Sequence, residues 1–112
     1  MDLIRDLEII IPTYNRSKTL EKTLKSLLSS PVGQCQISIL DNNSTDETAQ
    51  VIEGFSATRT NMIYIKSRYN IGQSGNIWKS LTLPTKKYFW IVFDDAGLDF
   101  THWKDIEAGL DS

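Results

Sequence analysis

The stretch that decides the fold is Tyr88-Phe89-Trp90-Ile91-Val92-Phe93-Asp94-Asp95, six aromatic or β-branched residues followed by two carboxylates. An apolar run of this length is typical of a strand buried on both faces, usually a central strand of a parallel sheet. A core does not stabilise two ionised carboxylates, so we expect Asp94 and Asp95 where the strand leaves the sheet. Ligands bind at that edge of open α/β sheets, and paired oxygen ligands there favour Mg²⁺ or Mn²⁺ and, through the ion, a phosphate.

Strands and helices alternate along the rest of the chain. Residues rich in β-branched side chains predict strands over 7–12, 36–40 and 62–65, before the strand at 88–93. Apolar residues at helical spacing follow each strand, over 20–28, 49–55, 77–81 and 103–110. This β-α-β-α-β-α-β-α order predicts the α/β class, with three α/β/α layers and a mainly parallel, Rossmann-like sheet.

Local signals predict how the helices begin and which aromatic residues lie inside. Ser17 is an N-cap candidate for the first helix, and Ser44-Thr45-Asp46-Glu47 has the spacing of a capping box for the second. Trp78, Trp90 and Trp103 fall at positions expected to face the core. For these three residues the pattern favours packing over stacking on a sugar.

Length and composition limit the possible functions. A chain of 112 residues predicts one domain, and a formal charge of -2 does not favour nucleic acid, which needs a clustered basic face. The single cysteine, Cys35, excludes an internal disulfide and favours a reducing compartment. The sequence has no long apolar run and no apolar leader, so we expect no transmembrane segment and a cytoplasmic protein.

The turns after the strands indicate the kind of nucleotide site. No Gly-x-Gly-x-x-Gly follows the first strand, which counts against a dinucleotide site, and no Gly-x-x-x-x-Gly-Lys-Ser/Thr is present, which excludes a P-loop. The turns are instead Pro12-Thr13-Tyr14-Asn15-Arg16, Asp41-Asn42-Asn43-Ser44-Thr45-Asp46-Glu47-Thr48, Asn70-Ile71-Gly72 and Asp94-Asp95. Their acid and amide groups suit hydrogen bonding to a base and a ribose, with a metal ion that bridges the phosphates.

In this order and at this spacing, the four motifs resemble those of the family 2 glycosyltransferases, which have the GT-A fold. The likeness covers nearly the whole chain. It implies one nucleotide-sugar-binding domain over 1–112, a nucleotide-diphospho-sugar donor that is most often UDP-linked, and a saccharide or lipid-linked acceptor. It also implies inverting transfer of a hexosyl group to a hydroxyl in polysaccharide or glycolipid synthesis, in the cytoplasm or at the inner face of the membrane.

The resemblance implies roles for individual residues. The residues expected to contact the nucleotide are Pro12, Thr13, Tyr14, Asn15, Asp41, Asn70, Gly72 and Asp94. Among them, Asp41 would hydrogen-bond the base, and Gly72 would let the backbone approach the nucleotide closely. Asp95, together with Asp94, would hold Mg²⁺ or Mn²⁺ at the donor diphosphate, where the metal neutralises charge as the nucleoside diphosphate leaves.

The sequence departs from the family pattern in two ways. Asp94-Asp95-Ala96 lacks the acid that the family usually has at the third position. Either Asp95 or the downstream Asp99 would then supply the metal contact, or metal binding is weakened. The catalytic base belongs, in the family, to a part beyond Ser112, so we assign no catalytic residue. His102 follows the acid pair and is expected to be polar surface.

Three functions remain open at this point. The preferred one is the donor-binding half of a glycosyltransferase. The second is a non-catalytic nucleotide-sugar-binding remnant, and the third is a structural α/β module that docks onto a partner chain. A sheet of four strands leaves an open edge and an apolar face, which favours either self-association or a partner chain that covers them.

Overall fold

The computed structural model describes residues 2–95, 98, 100, 101 and 103–111. In chain order its elements are α1 (Leu3–Asp6), β1 (Leu7–Thr13), α2 (Ser17–Leu28), β2 (Gln36–Asp41), α3 (Thr48–Ser56), β3 (Met62–Lys66), α4 (Gly72–Thr82), β4 (Tyr88–Ile91) and α5 (Trp103–Asp111). The predicted alternation holds from β1 onward, and the short helix α1 precedes it. No helix within these residues is long and apolar enough to cross a membrane.

The four strands are parallel and lie in the order β3-β2-β1-β4. The chain moves outward from β1 to β3 and then crosses back to β4, on the far side of β1. Because parallel crossovers are right-handed, this reversal puts α2 and α3 on one face of the sheet and α4 on the other. Contacts of α2 with α3 and of α4 with β1 agree with this placement. The predicted α/β class is confirmed, and β1 and β4 flank the switch point where such sheets bind ligands.

The main core lies between the sheet and the α2–α3 layer. Its fully buried members from the strands and from α2 are Ile9, Ile11, Ile37, Ile39, Leu20, Leu24 and Leu27. Side chains alternate between the two faces of a strand, so Ile10 and Leu40 point to the α4 side, where they are also buried. Burial on both faces explains the unbroken apolar run Ile9-Ile10-Ile11 in β1.

Strand β4 is shorter and more exposed than its sequence predicts. Within the described residues it pairs with β1 alone, so it lies at an edge of the sheet rather than in its centre. Trp90 packs on the core, whereas Phe89 and Phe93 are 44% and 46% exposed. The prediction of a central strand buried on both faces is therefore wrong. The described residues cover one face of β4 and leave the other face, with Phe89, partly exposed.

The predicted helix caps are also wrong. Helix α2 includes Ser17 as its first residue, α3 begins after Glu47, and neither helix has a side-chain cap. The Ser17 N–H instead donates to Asp46 Oδ2 (3.2 Å), and Ser44 Oγ accepts from the Asn15 N–H (2.9 Å). These polar side chains join the loops after β1 and β2 to each other.

Two of the three tryptophans lie where the sequence predicts. Trp90 and Trp103 pack against the core, and Phe100 lies edge-on between their rings, with centroids 6.0 and 6.2 Å away. Trp78 is 69% exposed on α4, so its predicted burial is wrong, and Leu81 one turn later is 48% exposed. The outer surface of α4 is therefore partly apolar.

Candidate functional site

The carboxyl ends of the strands surround a cavity of about 310 Å³. The turns after β1, β2 and β4 form three of its walls, and the start of α4 with the preceding loop forms the fourth. The lining residues are Pro12, Thr13, Tyr14, Arg16, Asn42, Asn70, Gly72, Gln73, Asn76, Ile77, Phe93, Asp94 and Asp95. The structure thus brings together most of the residues that the sequence singles out, from all four turns, in one cavity.

Asp94 is held in place on the buried side of this cavity. Its side chain is nearly inaccessible, and its Oδ2 accepts a hydrogen bond from Thr13 Oγ1 at 2.8 Å. Thr23 Oγ1 donates to the main-chain oxygen of Asp94 at 2.7 Å. Burial raises the pKa of Asp94 above its ordinary value, against the lowering influence of the Thr13 hydrogen bond and the Arg16 charge. Asp94 is therefore positioned by α2 and β1, which lie more than 70 residues earlier in the chain.

Arg16 brings a positive charge to the acid pair. Its Nη1 lies 3.1 Å from Asp95 Oδ2 and 3.9 Å from Asp94 Oδ1. The Asp95 side chain is 57% exposed, so this carboxylate faces the open part of the cavity. The two acids thus both lie within ion-pair distance of one cation.

The donor set of the acid pair fits a hard divalent ion. Mg²⁺ is usually held by one or two carboxylates plus substrate phosphates rather than by a cage of protein ligands. Asp94 and Asp95 provide such a pair, although the described residues contain no cluster of three or more acidic, His or Cys side chains that could hold a metal. A metal at this place would therefore depend on the phosphates of a bound nucleotide for its remaining ligands.

Several sequence predictions about the chemistry of this edge fall outside the part of the chain that the structure describes. The residues concerned are Ala96, Asp99, His102 and Ser112. Whether Asp99 compensates for Ala96 in metal binding stays a prediction. The catalytic base expected beyond Ser112 likewise stays a prediction.

Asn42 and the loop before α4 form the opposite wall. Asn42 Nδ2 donates to Asn70 Oδ1 (2.9 Å) and to Gly72 O (3.1 Å), and Asn42 Oδ1 accepts from the Ile71 N–H (2.8 Å). Gly72 has a φ of 81°, a backbone conformation that glycine adopts without strain. The predicted Asn70 and Gly72 are therefore joined to the end of β2 by a side chain that the sequence reasoning did not single out.

Asp41 and Asn15 do not line the cavity. Asp41 is fully buried, and its carboxylate accepts from the Tyr64 hydroxyl (2.6 Å) and from the Ser44 N–H (2.9 Å). Burial and the Asp41 carboxylate raise the pKa of Tyr64, which therefore stays a hydrogen-bond donor. Asn15 Oδ1 accepts from the Thr45 N–H at 2.7 Å. In this structure both residues support the turns, and a contact of Asp41 with a base stays a prediction.

Sequence reasoning missed several lining residues. Arg16 belongs to the first motif but received no role, and its position beside acids almost 80 residues away has no local signal. Asn42 was detectable, because side chains alternate along a strand and Asp41 and Asn42 must point to different sides. Asn76 Nδ2 donates to Leu40 O (2.9 Å), whereas its buried Oδ1 has no protein partner in the described structure. That oxygen is a free acceptor on a residue of the cavity wall.

Solved structures share this fold. TarS residues 1–349 of S. aureus, in complex with UDP, superposes with a TM-score of 0.78 and 25% identity, over 95% of this chain and 32% of that one. A mannosyltransferase of Pyrobaculum calidifontis, in complex with GDP-Man and Mn²⁺, gives a TM-score of 0.68 at 21% identity, over 80% of this chain and 27% of that one. At 21% identity, the likeness to the mannosyltransferase shows the fold alone. The structures of TarS and of the mannosyltransferase both agree with a GT-A sheet.

Two curated relatives are enzymes of sugar transfer. The GalNAc(5)-diNAcBac-PP-undecaprenol beta-1,3-glucosyltransferase of Campylobacter jejuni is 29% identical over 93 residues, which is 82% of this chain and 30% of that protein. The abequosyltransferase RfbV of Salmonella typhimurium is 32% identical over 112 residues, covering 95% of this chain and 33% of that protein. The chain thus spans about a third of the length of these relatives.

The family itself follows from a match to most of the chain. The family model described as glycosyl transferase family 2 matches residues 8–105, from β1 into α5, and so includes all four turns around the cavity. The chain therefore belongs to glycosyl transferase family 2.

Proposed function

We propose that residues 1–112 form the donor-binding domain of a glycosyltransferase, which takes a nucleotide-diphospho-sugar, with UDP as the nucleotide. The observation that carries the proposal is the meeting of an acid pair and several amide side chains in one cavity at the switch point of a parallel sheet. Family membership and the UDP complex of TarS support it.

The cavity offers different chemistry on its two sides. The side formed by Asn42, Asn70 and Asn76 is lined by amides. Asn42 is bonded to the loop at 70–72, whereas the free Asn76 Oδ1 would accept a hydrogen bond from a base N–H or a ribose hydroxyl. The other side presents Asp94 and Asp95 with Arg16, which suits the charged diphosphate. A nucleotide placed with its base toward the amides would therefore direct its phosphates toward the charged groups.

Asp94 and Asp95 are the residues that we propose to hold Mg²⁺ or Mn²⁺. When bound, such an ion neutralises the negative charge of the departing nucleoside diphosphate. The Thr13 hydroxyl keeps the Asp94 carboxylate directed into the cavity by its 2.8 Å hydrogen bond. The Arg16 guanidinium, which shares the acids in this structure, would turn toward a phosphate once a divalent ion takes its place.

The acceptor and the stereochemistry are further parts of the proposal. We take the acceptor to be a saccharide or lipid-linked hydroxyl in polysaccharide or glycolipid synthesis, since the Campylobacter relative is named for an undecaprenol-linked acceptor. We also propose that the transfer inverts the configuration of the sugar, and that it takes place in the cytoplasm or at the inner membrane face. None of the described residues is assigned as the base that removes the acceptor proton.

Calorimetry with UDP, with and without Mn²⁺, tests donor binding. We expect Mn²⁺ to tighten UDP binding, and Asp95→Ala to remove this dependence because Asp95 is the more exposed carboxylate of the pair. Glu21→Ala is the matched control, because Glu21 is an acid on α2 whose 3.0 Å pair with Lys25 lies outside the cavity. No heat at millimolar UDP, or equal Mn²⁺ dependence in wild type and Asp95→Ala, would overturn the proposal.

Two further measurements separate the open alternatives. Release of UDP from a UDP-sugar, or transfer to a test acceptor, would indicate an enzyme, whereas UDP binding without turnover would indicate a binding remnant. A structural module would bind no nucleotide and would instead associate through its exposed apolar residues. Phe89 on β4 and Trp78 on α4 are exposed apolar side chains that such a contact would cover, and size-exclusion chromatography tests it.

A further inference from the structure

Asn42 links the end of β2 to the loop that precedes α4. Its carboxamide makes three hydrogen bonds, and all three go to the segment Asn70–Gly72: two donated by Nδ2, at 2.9 and 3.1 Å, and one accepted by Oδ1, at 2.8 Å. The main-chain N–H of Asn42 donates to Thr13 O at 2.9 Å. Asn42 is only 2% exposed, so these bonds are shielded from water.

Apolar burial holds this loop only weakly. Tyr69 and Ile71 are 74% and 47% exposed, so apolar burial contributes little to its conformation. Gly72 has a positive φ and open space around its α-carbon, which lets the backbone turn there with small resistance. Asn70 Oδ1 accepts from the Gly72 N–H at 2.7 Å, a bond within the loop itself. The flanks of the loop are tied to the sheet by the main-chain bond of the Ser67 N–H to Asp41 O (2.8 Å) and by Asn76 Nδ2 of α4, which donates to Leu40 O (2.9 Å). Between these two links, the Asn42 carboxamide connects residues 70–72 to the end of β2.

Resting on the proposed function, we propose that Asn42 is a positioning residue: it holds the Asn70–Gly72 loop in the conformation that the nucleotide requires. Because its donor and acceptor groups are used by the loop, Asn42 acts through Asn70 and Gly72. If the loop opens, only the closed fraction of the protein binds, and the apparent affinity for UDP falls by that fraction. The nucleotide in turn stabilises the closed loop.

Asn42→Asp is the sharpest variant, because it changes the hydrogen-bonding groups at nearly constant volume. The carboxylate keeps the acceptor for the Ile71 N–H but loses both donated bonds, and it turns an oxygen toward Asn70 Oδ1 and Gly72 O. Neutral hydrogen bonds each change an equilibrium roughly fivefold. We therefore expect the loop to open in a measurable fraction of molecules and the UDP affinity to fall roughly tenfold.

Asn61 provides a matched control at the other end of the sheet. Its Nδ2 donates to Gly33 O (3.0 Å) and Cys35 O (2.8 Å), the same kind of link between an amide and two main-chain carbonyls. Asn61 does not line the cavity. Asn61→Asp should lower the global stability and leave the UDP affinity of the folded protein unchanged.

The experiment measures UDP affinity in the presence of Mn²⁺ by calorimetry and amide hydrogen exchange at Ile71 and Gly72 by NMR. Weaker UDP binding together with faster exchange at these two amides in Asn42→Asp, and neither change in Asn61→Asp, is the expected result. Unchanged binding or unchanged loop exchange in Asn42→Asp would overturn the proposal, as would an equal loss of affinity in both variants.

Two further measurements distinguish a failure of this proposal from a failure of the proposed function. If the wild-type protein does not bind UDP, donor binding fails, whereas the exchange at Ile71 still reports whether Asn42 holds the loop. If Asn42→Asp does not fold, Asn42→Ala removes all three bonds to the loop without adding a charge. Unchanged exchange at Ile71 in Asn42→Ala would then count against Asn42 as the element that holds the loop.

Discussion

Replacement of Thr13 by valine tests how the acid pair is held. Valine matches the shape of threonine, so Thr13→Val removes the 2.8 Å hydrogen bond to Asp94 Oδ2 and little else. Thr13 and Asp94 are 3% and 8% exposed, so water does not replace the lost donor easily. A hydrogen bond to a charged group contributes about 1.5–3 kcal/mol, and this is the expected loss in the free energy of unfolding at neutral pH.

The loss should depend on pH in a defined direction. The Thr13 hydroxyl lowers the pKa of Asp94, although burial keeps that pKa above its ordinary value. The additional stability therefore exists while Asp94 is ionised and is lost as the pH falls through the pKa of Asp94. At a pH below the pKa of Asp94, the hydrogen bond joins two neutral groups. The loss in the free energy of unfolding caused by Thr13→Val should then shrink to about 0.5–1.5 kcal/mol.

Thr23→Val is the matched control for this experiment. The Thr23 hydroxyl donates to the main-chain oxygen of the same residue, Asp94, at 2.7 Å, and this acceptor does not titrate. Urea unfolding followed by tryptophan fluorescence at neutral and acidic pH measures both variants. Thr23→Val should cost about 0.5–1.5 kcal/mol at either pH. If Thr13→Val showed the same cost at both pH values, the Asp94 carboxylate would not be what Thr13 stabilises.

Three other substitutions can be checked in the same unfolding assay. Asp94→Asn should raise stability at neutral pH but not in acid, because burial raises the pKa of Asp94 and so makes its ionised form costly; equal stability at neutral pH would contradict this. Gly33→Ala should cost about 1–3 kcal/mol, because the new Cβ would overlap the main-chain oxygen of Leu28. Gly54→Ala, inside α3 and with open space around it, should add about 0.5–1 kcal/mol, and a loss there would show that the helix resists a side chain.

Most of the fold could be predicted because its signals are local. Apolar periodicity identified the strands and helices that follow one another from β1 to α5, and regular alternation implies a parallel sheet through right-handed crossovers. Parallel strands bring their carboxyl ends to one edge, so the turns after β1, β2, β3 and β4 had to meet there. The placement of Thr13, Asn70 and Asp94 in one cavity therefore followed from strand order without any knowledge of contacts.

The errors concern properties that depend on distant neighbours. An apolar run shows that a strand is buried but does not show by what, so the edge position of β4 and the exposure of Phe89 were not readable. The Ser44 and Glu47 spacing suits a cap, yet Ser44 accepts from Asn15 on another loop. The partners of Glu8 also come from a distant segment. Glu8 is 2% exposed inside β1, and its carboxylate accepts from the main-chain N–H groups of Thr85 and Lys86 just before β4.

The sequence by itself determined the α/β class, the order of strands and helices, and the two carboxylates that follow the apolar run 88–93, because side-chain periodicity and chain order are local properties. Only the tertiary structure decided how those carboxylates are held. Thr13 and Arg16 reach them from about 80 residues away, and Asn42, rather than Asp41, lies in the cavity. Hydrogen bonds and ion pairs act over a few ångströms in space, so their partners are known only when the chain has folded.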